Sequence, residues 1–133
     1  MIRYYKYQNN SNIESVKGKW FLRIKNGEQI DLAGLAKHMA DHASPYSKGV
    51  IYGVLTDMVS CIKELLSDGK TVKLADLAIF SLGVKCIGAD NPDNATVQNI
   101  RSIRIKARGT GELSSRTLKE QAHFKEMDEY ARS

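Results

Sequence analysis

The sequence predicts a mixed α+β fold on three observations. Residues 47–69 repeat apolar side chains at a helical period. Residues 80–86 and 103–108 alternate apolar with other side chains at a period of two. Residues 2–8 and 19–25 are rich in aromatic and β-branched residues, the composition of strands. The 133 residues, 42% hydrophobic and 26% charged, suffice for one domain with a single core and exclude wholesale disorder. No apolar run approaches the ~18 residues of a membrane span. Met1-Ile2-Arg3-Tyr4-Tyr5 lacks the apolar stretch of a secretory signal. Two cysteines make no disulfide framework and suit a reducing cytoplasm.

Taken in order, residues 2–8 and 19–25 read as two strands, joined by an irregular loop through Asn9-Asn10-Ser11-Asn12 and Gly18, with Asn26-Gly27 as the closing turn. Asp31 caps a helix reaching about Ala43, and Ser44-Pro45 breaks it. Ser47 caps a second helix that Gly69 ends. At about 100° per residue, its ten apolar side chains from Val50 to Leu66 fill one unbroken half of the circumference. A helix with one packing partner needs a stripe only a little over ~100° wide. An arc of about 180° predicts a second surface as well, most simply another copy of the chain. Val50, Val54, Met58, Cys61, Ile62 and Leu65 are the candidates for that interface.

Thr71–Leu74 reads as a short strand, Ala75-Asp76-Leu77 as a tight connection, and Phe80, Leu82, Val84 and Cys86 as one face of a longer strand. Gly88 to Asn94 forms a loop tip, and the chain returns through Ile103-Arg104-Ile105-Lys106-Ala107-Arg108. After Gly109-Thr110-Gly111, Thr117 and Glu120 are spaced as the capping box of a final helix, with Leu118, Ala122, Met127, Tyr130 and Ala131 available for packing.

The formal charge of +5 is unevenly distributed. Residues 1–26 carry +5 and residues 95–119 carry +5, while residues 27–69 carry −3. Concentrated positive segments on a neutral body fit a polyanion-binding surface. Arg104, Lys106 and Arg108 share one face of their strand at a spacing of about 6.6 Å, a ladder able to follow a phosphate backbone. On the strand alone, that reading and a solvated edge strand charged against aggregation stand equal. Tyr4, Tyr5, Tyr7, Trp20 and Phe21 can stack on single-stranded bases, although packing a hairpin is the commoner use of such rings.

Enzyme chemistry finds little support. His38 and His42 have a metal-compatible spacing beside Asp41, but His-Met-Ala-Asp-His lacks the glutamate of a zinc-protease motif and a distant third ligand. Gly109-Thr110-Gly111 lacks the Lys-Ser/Thr of a phosphate-binding loop. Cys61 and Cys86 read as small core residues. The sequence predicts no catalytic residues, metal, cofactor or small-molecule substrate.

Over residues 30–124 the order of elements resembles that of the bacterial HU/IHF family of histone-like, DNA-bending proteins. The likeness is carried by Leu32-Ala33-Gly34-Leu35-Ala36, by Ser44-Pro45-Tyr46-Ser47, and above all by the run from Leu65 to Phe80, with Asn91-Pro92 near the family's arm-tip Asn-Pro and Arg108-Gly109 near its Lys-Pro-Gly. The resemblance implies an IHF-like α+β fold: a helix pair, a three-stranded antiparallel sheet with an extended β-arm, and a C-terminal helix. Residues 1–29 resemble the two-stranded extension of longer variants, leaving 30–133 as the DNA-binding domain. It further implies a cytoplasmic, nucleoid-associated homodimer that binds and bends double-stranded DNA with little sequence preference. Pro92 takes the wedge role at the arm tip. Arg101, Arg104, Lys106 and Arg108 take phosphate contacts with Lys85 opposite, and Arg116 and Lys119 flank the body. The chain departs from the family pattern in that residues 86–91 carry no cation and Asp90 and Asp93 bracket Pro92. A structural or protein-interaction dimer on the same scaffold is the alternative.

Overall fold

A computed structural model describes residues 1–128, which hold three α-helices and two three-stranded sheets. Contacts divide the chain into two compact units, Met1–Gln29 with the described residues from Lys119 onward, and Ile30–Leu118.

In the first unit β1 (Ile2–Gln8) pairs antiparallel with β2 (Trp20–Ile24), Tyr5 opposite Arg23 and Tyr7 opposite Phe21. Gly18, at φ +77°, turns the loop into β2, and its carbonyl accepts from Gln8 Nε2 at 3.0 Å. β6 (Phe124–Glu126) adds a parallel strand on the other side of β1, giving the order β2-β1-β6. This corrects the expected long final helix. α3 is only Ser115–Gln121, Ser114 rather than Thr117 caps it (Ser114 Oγ accepts from Thr117 N at 3.3 Å), and Met127, assigned to helix packing, donates its N–H to the Tyr4 carbonyl at 2.9 Å. β1 offers the C-terminal segment a row of backbone partners that a frayed helix end lacks. The same pairing joins this segment to the first unit, not to the body expected over 30–133. Tyr130 and Ala131 lie outside the described residues.

In the second unit α1 (Leu32–Asp41) starts where the Asp31 carboxylate accepts from Gly34 N at 2.8 Å. α2 (Lys48–Ser67) starts where Ser47 Oγ accepts from Val50 N at 3.2 Å and ends before Gly69 at φ +78°. β3 (Val72–Leu74), β4 (Ala78–Cys86) and β5 (Ile100–Gly109) form an antiparallel sheet in that order. The two ends of this ribbon are finished differently. At its root, Thr110 N donates to the Leu77 carbonyl (3.2 Å), Thr110 Oγ1 to the Leu74 carbonyl (3.3 Å), and Glu112 N to the Asp76 carboxylate (3.3 Å). A Cβ on Gly109 would collide with the Leu113 carbonyl oxygen, and one on Gly111 with the Asp76 carboxylate. The far end loses register between Lys85 and Cys86 and closes through two 3₁₀ turns, Pro92–Asn94 and Val97–Asn99.

Among the described residues the buried hydrophobic ones are few, and half of them are alanines: Ala36, Ile51, Leu66 and Ala78. The apolar half of α2 therefore splits in two. Ile51 and Leu66 are buried and Leu55, Met58 and Ile62 half-buried, whereas Val50, Val54, Val59, Cys61 and Leu65 are exposed. Cys61 and Cys86, expected in a core, are both exposed. So are Ile103 (63%), Ile105 (60%) and Ala107, since the described residues leave most of their side of β5 open.

Candidate functional site

Pairing of β4 with β5 sorts the sheet of the second unit into two chemically distinct faces. Ala78, Phe80, Leu82 and Val84 stand opposite Gly109, Ala107, Ile105 and Ile103 on one face. Ile79, Ser81, Gly83 and Lys85 stand opposite Arg108, Lys106, Arg104 and Ser102 on the other. β3 follows the same alternation, with Lys73 opposite Ile79 and thus on the basic face. Sequence reasoning missed Lys73, because a three-residue strand shows its facing only through its partner. The five cations Lys73, Lys85, Arg104, Lys106 and Arg108 share this face with no acidic strand residue. None forms an ion pair with the other described residues. Alternate residues along a strand lie about 6.6 Å apart and neighbouring strands about 4.8 Å, so the charges repel one another unless an outside anion neutralises them.

Glycine shapes the middle of this face. A Cβ on Gly83 would lie 3.2 Å from Lys106 Cδ and 3.3 Å from Cε. The bare backbone lets the lysine stem lie flat across β4. Beside it, Thr71, Ile79, Ser81, Lys106 and Arg108 line a shallow hollow of about 350 Å³. Arg101 falls in the bulge, skipped between the pairs Lys85–Ser102 and Cys86–Ile100, so strand alternation does not put it on the ladder. Arg116 and Lys119 stand on α3 rather than on the sheet.

The tip is organised by asparagines. Asn91 Oδ1 accepts from Asn94 N at 3.0 Å, with exposed Pro92 as the first residue of the turn. Asn99 Nδ2 donates to the Ile87 and Asn94 carbonyls at 3.3 Å, and its Oδ1 accepts from Thr96 Oγ1 at 3.3 Å. These bonds present Val97, 81% exposed, within the uncharged run Ala95–Ile100. Val97 is a second apolar tip residue beside Pro92. Its signal in sequence was an isolated apolar residue inside a polar loop.

Behind the sheet, Met58, Ile62, Leu66, Leu74, Phe80 and Ile105 line an open, almost wholly apolar groove of about 430 Å³. A second apolar groove runs along Met39, Tyr46, Val50, Ile51, Val54 and Leu55. Of the six predicted interface residues, Val50, Val54, Cys61 and Leu65 are exposed on α2, while Met58 and Ile62 turn toward the sheet and are half-buried. On α1 the rings of His38 and His42 stand 4.7 Å apart between centroids. Nearby Asp41 pairs with Lys37 at 2.8 Å, and that hydrogen bond holds the carboxyl below its ordinary pKa. Among the described residues no group of three or more His, Cys, Asp or Glu could hold a metal ion. No helix among them is long and apolar enough to cross a membrane.

A helix pair joined to a sheet with one cationic and one apolar face defines a small α+β protein of the HU type. More narrowly, the chain belongs to the family described as an HU domain fused to wHTH, Ig, or Glycine-rich motif, whose model matches residues 1–125. It is similar in fold to a crystal structure from Bacteroides vulgatus ATCC 8482 described as a "Putative bacterial DNA binding protein". The TM-score is 0.66 at 12% sequence identity over 96% of this chain, and the match spans 49% of that one, about half its length. No curated protein matches the chain.

Proposed function

We propose that this protein is a non-enzymatic, homodimeric binder of double-stranded DNA that reads little sequence. One observation carries the reading: Lys73, Lys85, Arg104, Lys106 and Arg108 gather on a sheet face with no acidic strand residue and form no ion pair with the other described residues. The HU-type family and the description of the structural relative support it. Cations spaced along strands neutralise phosphates and release counterions, which gives affinity without base readout. Arg101 and, on α3, Arg116 and Lys119 add further phosphate contacts. At the tip an apolar side chain, Val97 or Pro92, wedges between base steps and bends the duplex. Asp90 and Asp93 set negative charge beside Pro92, which favours Val97. The protein works on the nucleoid in the cytoplasm and needs no cofactor.

The dimer is supported by the apolar flank of α2 through Val50, Val54, Cys61 and Leu65, with Met58 and Ile62 beneath. Apolar exposure on this scale marks an interaction surface. Light scattering should give twice the chain mass, and Val54→Glu should give one chain mass. In fluorescence anisotropy, duplex affinity should fall steeply with salt, and Arg104→Ala with Lys106→Ala should reduce the log–log slope by about 1.8. Absence of duplex binding at low salt would refute the reading. A protein-interaction dimer is the second reading, favoured by the acidic residues at the tip; intact dimers indifferent to DNA would select it.

A further inference from the structure

We infer that the first unit carries a separate site for single-stranded nucleic acid, a stacking platform on the face of β1-β2-β6 that holds Arg3, Tyr5, Tyr7, Phe21, Arg23 and Lys125. The register makes the face. Tyr5 pairs with Arg23 and Tyr7 with Phe21, while Arg3 pairs with Lys125 across β6. Alternation puts all six on one side. Trp20, Leu22, Ile24 and Phe124 fall on the opposite side. The five aromatics of the N-terminal segment are therefore not one packing cluster. Tyr4 and Trp20 belong to the opposite face, and Tyr5, Tyr7 and Phe21 stand among cations.

No strand residue on that side is acidic, since Glu126 pairs opposite Tyr4 and reaches Lys6 at 3.7 Å on the other face. Tyr7, Phe21 and Arg23 form one cluster, the two rings tilted by 33° to each other. Tyr7 and Phe21 are 6.0 Å apart between centroids, and the Arg23 guanidinium lies 4.3 Å over the Tyr7 ring. Arg3, Phe21, Arg23 and Lys125 are exposed, and Tyr5 and Tyr7 half-buried. The exposed Arg23 guanidinium, held over the Tyr7 ring and hydrogen-bonded to the Tyr5 and Tyr7 side chains, offers a base a cation–π partner beside Phe21, and flanking cations meet the phosphates. Unpaired bases expose the flat faces that such rings need, whereas duplex bases keep theirs stacked inside.

This inference stands without the duplex reading, and the experiment separates them. Labelled oligothymidylate, oligouridylate and a mixed-sequence duplex are titrated by anisotropy against the wild-type chain, Tyr7→Leu/Phe21→Leu, Arg3→Ala/Lys125→Ala, and Arg104→Ala/Lys106→Ala. The ring variant keeps apolar volume but removes π faces, and circular dichroism checks its fold. It should lose about tenfold or more in single-strand affinity, the scale of losing base stacking, with duplex binding unchanged. Arg3→Ala/Lys125→Ala should reduce the single-strand salt slope by about 1.4. Comparing thymidylate with uridylate tells whether DNA or RNA is preferred. A folded ring variant with undiminished single-strand affinity overturns the proposal. So does loss of single-strand binding in Arg104→Ala/Lys106→Ala alone, or wild-type indifference to single strands at low salt.

Discussion

On the sheet of the second unit the spaces between cations are filled by Ile79, Ser81 and Gly83, and on that of the first by Tyr5, Tyr7 and Phe21. Both faces lack acidic strand residues, so net charge does not separate them. The filling does. Small or aliphatic side chains leave only charge to offer, which suits a ligand that presents phosphates on the outside. Rings add flat polarisable surface, which suits a ligand whose bases are unpaired. Two basic segments that look equivalent in sequence, each at +5, thus acquire different chemistry once strand register decides what lies between the charges.

The most disruptive way to test their independence is Gly109→Ala. A Cβ there meets backbone, the Leu113 carbonyl oxygen, and no side chain can rotate away. We expect destabilisation of at least about 2 kcal/mol in the second unit, read as a lower melting transition with loss of duplex binding and retention of oligothymidylate binding. Smaller is the effect at the tip. Val97→Ala should weaken duplex binding about fifteenfold, in line with two lost carbons at about 0.8 kcal/mol each, and reduce bending measured by energy transfer across an end-labelled duplex. Pro92→Ala should do less, and the reverse order would return the wedge to Pro92. Gly83→Ala should be milder still. The Lys106 stem must shift by a few tenths of an ångström, so duplex affinity should fall by less than in Lys106→Ala, with single-strand affinity unmoved.

The smallest change serves as a control outside both faces. Lys37 holds the Asp41 carboxyl below its ordinary pKa, first by a hydrogen bond and then by charge. With the folded value depressed, the pair stabilises above the ordinary carboxylate pKa, and that contribution is lost as pH falls through the folded value. Lys37→Met should move the Asp41 titration seen by NMR upward toward the ordinary range and leave both binding activities as they were.

Much of this was legible before the structure. Asp31 and Ser47 cap their helices through the expected hydrogen bonds, and the alternation at 103–108 sorts its side chains as a strand must. What escaped was non-local. β6 reads as a helix continuation because its partner, β1, lies more than a hundred residues earlier in the chain. Lys73 joins the ladder only through its pairing with Ile79, and Arg101 leaves it through a bulge that no residue type announces. The exposed side of α2 was foreseen from the width of its apolar arc. The bareness of β5 was not, since alternation tells which side chains share a face and not whether anything covers it.

The hydrogen-bonded corner at Asp76, Thr110 and Glu112 has a mechanical consequence. It anchors the ribbon like the built-in end of a cantilever, while the bulge between Lys85 and Cys86 interrupts the ladder toward the far end. The ladder is thus bonded fast where Arg108 stands and broken on the way to Val97, so the two ends of the ribbon are held by different numbers of backbone bonds.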